Sequence, residues 1–172
     1  MRVLGIDCGS EYTGYGVVEE GPDHRLFCCA MGAIKLRPHD SMAIKLQHIY
    51  SQLSHIIVEH RPEMVAIEEV FYALNVKSAL KLGQVRGVAM LAASAAGLEV
   101  AEYSPLSIKS AVVGYGRAEK QQVQDMVMRL LHLPTLPEPS DAADALAIAI
   151  CHIHTASTLR RYKRTKSQEV IS

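Results

Sequence analysis

Two short apolar runs that each end in a carboxylate set the frame of this chain. Val3, Leu4 and Ile6 run into Asp7, and Met64-Val-Ala-Ile67 runs into Glu68-Glu69. Runs of this length, bounded by turn residues, predict buried strands over 2–7 and 64–67. Residues 13–19 and 25–34 read as two more strands separated by the turn Gly21-Pro22-Asp23, so that the first three strands form an antiparallel meander. Ser41 is placed to cap a helix in which Ile44, Leu46, Ile49, Leu53, Ile56 and Ile57 recur at helical spacing, ending before Arg61-Pro62. Asn75 to Ala96 is an alanine-rich helix, and Leu98 to Tyr103 a further strand. Pro105–Val113 and Glu119–Leu131 read as helices around the loop Gly114-Tyr-Gly-Arg117. After the proline-rich linker 134–139, Ser140 is a good N-cap for a last helix running from Asp141 to about Ser157.

Several polar residues sit oddly on this pattern. A carboxylate at the mouth of a buried strand is costly unless a cation or a donor meets it, and Gly9 beyond Asp7 allows a sharp turn and close approach. Asp141 and Asp144 are three apart, on one face of the last helix's first turn. The helix macrodipole favours acids there by ~0.3–1 kcal/mol each. That surface effect suits Asp141 better than Asp144, because the helix is apolar almost all round and therefore buried. Gly83 and Gly87 share a face of the 75–96 helix. Each costs about 1 kcal/mol relative to alanine, which points to close packing against a sheet or a second subunit.

Composition narrows the function classes. A length of 172 residues suits one domain over 1–157, with a basic, flexible tail over 158–172. No apolar stretch reaches the ~18 residues of a membrane span, and Asp7 within the first ten residues argues against a signal peptide. Cys8, Cys28, Cys29 and Cys151 lack metal-ligand spacing, so reduced thiols in the cytoplasm are the simpler reading. Formal net charge is zero, but Arg160, Arg161, Lys163, Arg164 and Lys166 against Glu169 give the tail +4 and leave −4 on residues 1–159. An acidic body with a basic extension fits a metal-dependent enzyme acting on a polyanion; it equally fits a solvated tail.

The element order, three meander strands followed by alternating helices and strands, is that of the ribonuclease-H-like α/β fold: a central mixed five-stranded sheet flanked by helices. Strands one and four then lie side by side, Asp7 and Glu68 meet at adjacent strand ends, and the last helix brings Asp141 and Asp144 over them. Two carboxylates about 5 Å apart cost ~3 kcal/mol at an effective dielectric near 20, so without a cation at least one takes up a proton. Hard divalent cations relieve the repulsion, and two of them ~3.5–4 Å apart serve phosphodiester hydrolysis.

Six segments make a resemblance specific: Gly-Ile-Asp-Cys-Gly-Ser (5–10), Thr-Gly-Tyr-Gly-Val (13–17), Ala-Ile-Glu-Glu-Val-Phe (66–71), the run 78–89, Val-Val-Gly-Tyr-Gly-Arg-Ala-Glu-Lys (112–120) and Asp-Ala-Ala-Asp-Ala-Leu-Ala-Ile-Ala-Ile (141–150). In series, over about residues 2–155, they resemble the RuvC Holliday-junction resolvases. The resemblance implies a homodimeric, Mg²⁺-dependent endonuclease (two ions per subunit, Mn²⁺ as substitute) that makes paired symmetric nicks in four-way DNA junctions, leaving 5′-phosphate ends, with the RuvA–RuvB branch-migration complex as partner and no membrane. Asp7, Glu68, Asp141 and Asp144 match the family's catalytic and metal-binding acids, while Glu69 should face away. Lys109 and Lys120 match basic residues near the DNA backbone, and Phe71 an aromatic that engages bases at the crossover; a lone aromatic also packs under a helix. Cys8 departs from the proline of many relatives and raises oxidative inactivation if its thiol is exposed.

Other residues are open or poor candidates. Lys77, Lys81 and Arg86 either line DNA or solvate a helix face. His152 and His154 are two apart on a helix, a poor spacing for joint ligands. Competing functions are a sugar-kinase or actin-like phosphotransferase, for which the chain is too short, an RNA-processing nuclease of the same fold, which lacks the Asp-x-x-Asp helix run, and a catalytically silent nucleic-acid binder, against which the four acids count.

Overall fold

The computed structural model describes residues 1–69 and 76–169, without the side chains of 161 and 163–169. The first three strands, β1 (Arg2–Cys8), β2 (Tyr12–Glu20) and β3 (Leu26–Lys35), form the expected meander. They are followed by α1 (Met42–His60), β4 (Met64–Glu68), α2 (Val76–Ala95) and β5 (Glu99–Tyr103). Three helices complete the chain: α3 (Pro105–Val113), α4 (Lys120–Leu130) and α5 (Ser140–Glu169). The sheet order is β3-β2-β1-β4-β5, with β1 antiparallel to β2 and parallel to β4, so β1 is central.

Period-two alternation divides the sheet into two buried faces. Leu4, Ile6, Val17, Val65 and Ile67 pack with the apolar sides of α1 and α2. Val3, Val18 and Ala66 turn the other way, toward α3, α4 and α5. The cap read from sequence at Ser41 is in place, accepting from the Ile44 amide, whereas Ser140, expected as a cap, is the first residue of α5; Ser104 caps α3 by accepting from the Ser107 amide, and Arg61 closes α1 in the left-handed conformation before Pro62.

How α5 seats is decided by three glycines. Gly5 and Gly16 are cross-strand partners, and Gly14 is the partner of Asp7. A Cβ on Gly5 would overlap the Ala145 carbonyl oxygen, one on Gly14 the Asp141 carbonyl oxygen, and one on Gly16 would lie 2.8 Å from Leu146. The bare backbone of β1 and β2 therefore lets α5 lie directly on the sheet. Ala142, Ala143 and Ala145 through Ile150 are then buried between sheet and flanking helices.

Two expectations are corrected here. The last helix does not stop near Ser157 but continues to Glu169. Residues 158–169 contain no glycine or proline and are rich in Arg and Lys, good helix formers whose cations suit a helix C-terminal half. Ser157 donates to Glu20 Oε1 at 3.1 Å, and Arg160 lies 3.9 Å from the same carboxylate, tying the continuation to β2. Ser140–Arg160 is also long and apolar enough to cross a membrane by length and composition, contrary to the reading of short apolar stretches; 61% of its most apolar window is buried within the protein, so its apolarity serves the core.

Candidate active site

The sheet brings the first two acids together by register. Val3 and Gly5 face α5, so Asp7 at the end of β1 does too; Ala66 faces α5, and Glu68 with it. The parallel pairing of β1 with β4 ends at Ile6↔Ile67, and Asp7 and Glu68 are the next step on each strand. The glycine seat places the opening turn of α5, with Asp141 and Asp144, over the same strand ends.

Electrostatics record this crowding. Asp7 is pushed up to about 7, first by burial, then by Asp144, Glu68 and Asp141, with Lys120 opposing. Glu68 is also raised, by burial and then by Asp144, against Lys109 and Lys120. The Lys120 Nζ sits 2.6 Å from Asp144 Oδ2. That bond raises the lysine and makes it the cation that partly neutralises the cluster. A pocket of about 230 Å³ opens beside it, lined by Glu68, Lys109, Lys120 and Asp144 with Pro105 and Ile108 on the apolar side. Among the described residues no three acid, histidine or cysteine side chains are drawn into a closed cation cage; Asp144 is bonded to lysine instead. A cluster of carboxylate oxygens, partly buried and mutually repelling, is the donor chemistry that a hard divalent cation fits.

The remaining candidates are distributed unevenly. Lys109 on α3 is half-buried beside Glu68. Lys77 and Lys81 are exposed on α2. Arg86 is ion-paired with Glu102 on β5 and only partly exposed. Phe71 lies outside the described residues. Glu69 donates its amide to the Tyr103 carbonyl and does not line the pocket. His152 shares a hydrogen bond with the Tyr103 hydroxyl and His154 one with the Ala111 carbonyl, so each imidazole serves packing. Cys8 faces the α1–α2 core, and burial pushes its thiol up to about 12, which leaves it protonated and unreactive.

Two features escaped sequence reasoning. Lys120 and Asp144 are 24 residues apart on different helices, and no local pattern signals their bond. The glycine seat had a signal, since Gly14 and Gly16 recur at period two inside an otherwise apolar strand.

Comparison with known proteins decides the family. The model of the family described as crossover junction endodeoxyribonuclease RuvC matches residues 3–152. This chain belongs to the RuvC family. A crossover junction endodeoxyribonuclease RuvC from Koribacter versatilis is 64% identical over 161 residues, 94% of this chain and 97% of that protein. The Thermus thermophilus RuvC structure superposes with a TM-score of 0.84 at 35% identity, covering 92% of this chain and 96% of that one. The structure of T. thermophilus RuvC in complex with Holliday junction substrate gives 0.85 at 32% identity, with the same coverage. The fold is thus the ribonuclease-H-like fold of RuvC enzymes, and the carboxylate cluster lies within the stretch that the family model covers.

Proposed function

We propose that this RuvC-family chain is a structure-selective endonuclease that resolves four-way (Holliday) DNA junctions in recombination and repair. It does so by paired symmetric nicks that leave 5′-phosphate ends, acting in the cytoplasm. The observation that carries this reading is the carboxylate cluster: register and the seat of α5 bring Asp7, Glu68 and the Asp141/Asp144 turn to the same strand ends, where burial first and the neighbouring acids second raise Asp7 to about 7. These four side chains would hold Mg²⁺, two ions per subunit, with Mn²⁺ as substitute. When bound, such ions lower the pKa of the attacking water and neutralise charge on the leaving oxygen.

The chain's own groups do the rest. Lys109 and Lys120 border the same pocket as Glu68 and Asp144, so their ammonium groups would hold the phosphate at the carboxylates. Lys120 exchanges its bond to Asp144 for one to the substrate. Phe71 would stack on a base unpaired at the crossover, worth roughly 1–3 kcal/mol per base. The 160–166 basic segment at the end of the 1–157 domain would add nonspecific attraction.

Paired nicks require two sites related by the junction's two-fold symmetry. Val76, Leu80, Gly83, Gly87 and Leu91 lie on one face of α2, exposed to solvent, with open space above both glycines among the described residues. Of the two explanations for these glycines, packing on the sheet is therefore removed. A second copy of the chain fits the stripe, giving a homodimer, and the resemblance adds the RuvA–RuvB complex as partner.

The test is a synthetic four-way junction with Mg²⁺, against linear duplex and RNA controls. Junction cleavage with paired nicks is expected, and the Asp7→Asn protein should bind the junction while cleaving orders of magnitude more slowly. Failure of the wild-type protein to cut any junction with Mg²⁺ or Mn²⁺ refutes the function; full cleavage by the variant refutes the assignment of the acids.

A further inference from the structure

Three residues beyond Asp7, the chain passes along a second depression, of about 350 Å³, on the far side of the β1–β2 turn from the Lys109–Lys120 pocket. Ser10, Glu11 and Tyr12 form one wall. Lys35 at the end of β3, Lys45 in the second turn of α1 and Lys81 in the second turn of α2 form the others. Three elements thus each send a lysine to one groove, with Glu11 the sole carboxylate of its lining among the described residues.

The surroundings give these lysines little reason to be there. Among the described residues none of the three is ion-paired with a carboxylate, whereas Arg2, Arg25, Arg86 and Lys120 all are. Lys35 lies 5.9 Å above the Tyr12 ring, and Lys45 donates to the Pro38 carbonyl at 3.2 Å. Both contacts hold an ammonium without neutralising it. Like charges gathered without counter-charge repel, and cations early in a helix oppose its dipole. Residues 1–159 carry −4, so this local excess of positive charge stands against the background of the body. A polyanion laid in the groove would relieve all of these costs at once.

We propose that the Lys35–Lys45–Lys81 groove binds a second run of phosphodiester backbone, on the strand that leaves the carboxylate site across the β1–β2 turn. The inference rests on the proposed nuclease function and deepens it. Lys109 and Lys120 hold the phosphate at the reacting position, while this groove holds backbone several nucleotides away and contributes affinity and direction rather than chemistry. Its chemistry is that of phosphate capture by point charges, indifferent to base sequence.

The experiment compares wild type with the triple variant Lys35→Gln/Lys45→Gln/Lys81→Gln, on one four-way junction, across a salt series. All three side chains are at the surface, and circular dichroism with melting confirms that the variant folds. Each phosphate that the variant leaves unneutralised makes the log–log salt slope shallower by about 0.9 on duplex arms. The slope should fall by two to three, so that raising salt from about 50 to 200 mM weakens wild type roughly 40-fold more than the variant. Single-turnover cleavage at saturating protein should stay within about twofold of wild type. An unchanged slope and affinity, with wild type cleaving normally, overturns the groove and leaves the nuclease reading intact. A slower saturated cleavage rate with unchanged affinity also overturns it, because the lysines would then act on the reacting centre. Absence of wild-type cleavage overturns the underlying function instead.

Discussion

Gly14 lies directly beneath Asp141: a Cβ on this glycine would overlap the aspartate's backbone carbonyl oxygen, while across the strand pair its partner is Asp7. One missing methyl group thus sets the height of two acids over a third. Gly14→Ala should lift the first turn of α5 without removing any charged group. Overpacking of this kind costs about 1–3 kcal/mol, and a displacement near 1 Å at a reacting centre costs about 10²-fold in rate. A folded protein with a modestly lowered melting temperature and at least a hundredfold loss of junction cleavage is the expected result. Wild-type cleavage by Gly14→Ala would show that α5 need not sit on the sheet for the acids to work.

Lys120 gives a second prediction. It neutralises Asp144 and lowers both Asp7 and Glu68. Lys120→Met should therefore destabilise the metal-free protein and enlarge its stabilisation by Mg²⁺, since ligand stabilisation grows with affinity and the competing ammonium is gone. Thermal melts with and without Mg²⁺ measure both effects, and an unchanged Mg²⁺-induced shift would count against the competition.

Metal-free stability should also depend on pH in a defined direction. The Asp7 carboxyl rises from 3.8 in the ordinary state to about 7 in the fold. Between those values the native protein holds more protons than the unfolded chain, so stability is fully present below the lower value and is lost as pH rises through the higher one. Glu68 is shifted in the same direction. The melting temperature of wild type relative to Asp7→Asn should decline between about pH 5 and pH 8 without divalent cation, and the decline should flatten with Mg²⁺. A difference that is flat without cation would mean that Asp7 is not crowded as described.

The α2 stripe makes a prediction about assembly. Leu80 is 65% exposed and Gly87 has open space above it, so Leu80→Glu/Gly87→Glu should change monomer stability within about 0.5 kcal/mol, as at ordinary surface positions. Sedimentation should show the dimer dissociating, and junction cleavage should yield single nicks. A variant that remains dimeric would move the interface elsewhere.

How far the sequence reading reached depended on the range of the interaction. Strands announced by Val3-Leu4-Ile6 and Met64–Ile67, and the helix opened by Ser41, are products of local pattern, and they stand where the pattern put them. The juxtaposition of Asp7 and Glu68 needed one further step, the parallel pairing of β1 with β4. The ion pair of Arg86 has no local cue, because its partner, Glu102, arrives from an edge strand. A charged run is not by itself a helix end, and nothing in 158–169 breaks a helix, so α5 runs on past Ser157.

The burial of α5 has a consequence for the way this enzyme fails. Asp141 and Asp144 project from the opening turn of a helix whose next several turns run through the interior. Local opening that frees these acids must also strip the sheet of its main cover, so there is no cheap partial opening to blunt the enzyme while the rest persists. Heat or denaturant should extinguish cleavage and tertiary structure in one coincident transition. Amide protons along 142–153 should be among the slowest in the molecule to exchange with solvent, and the proposed active site inherits that permanence.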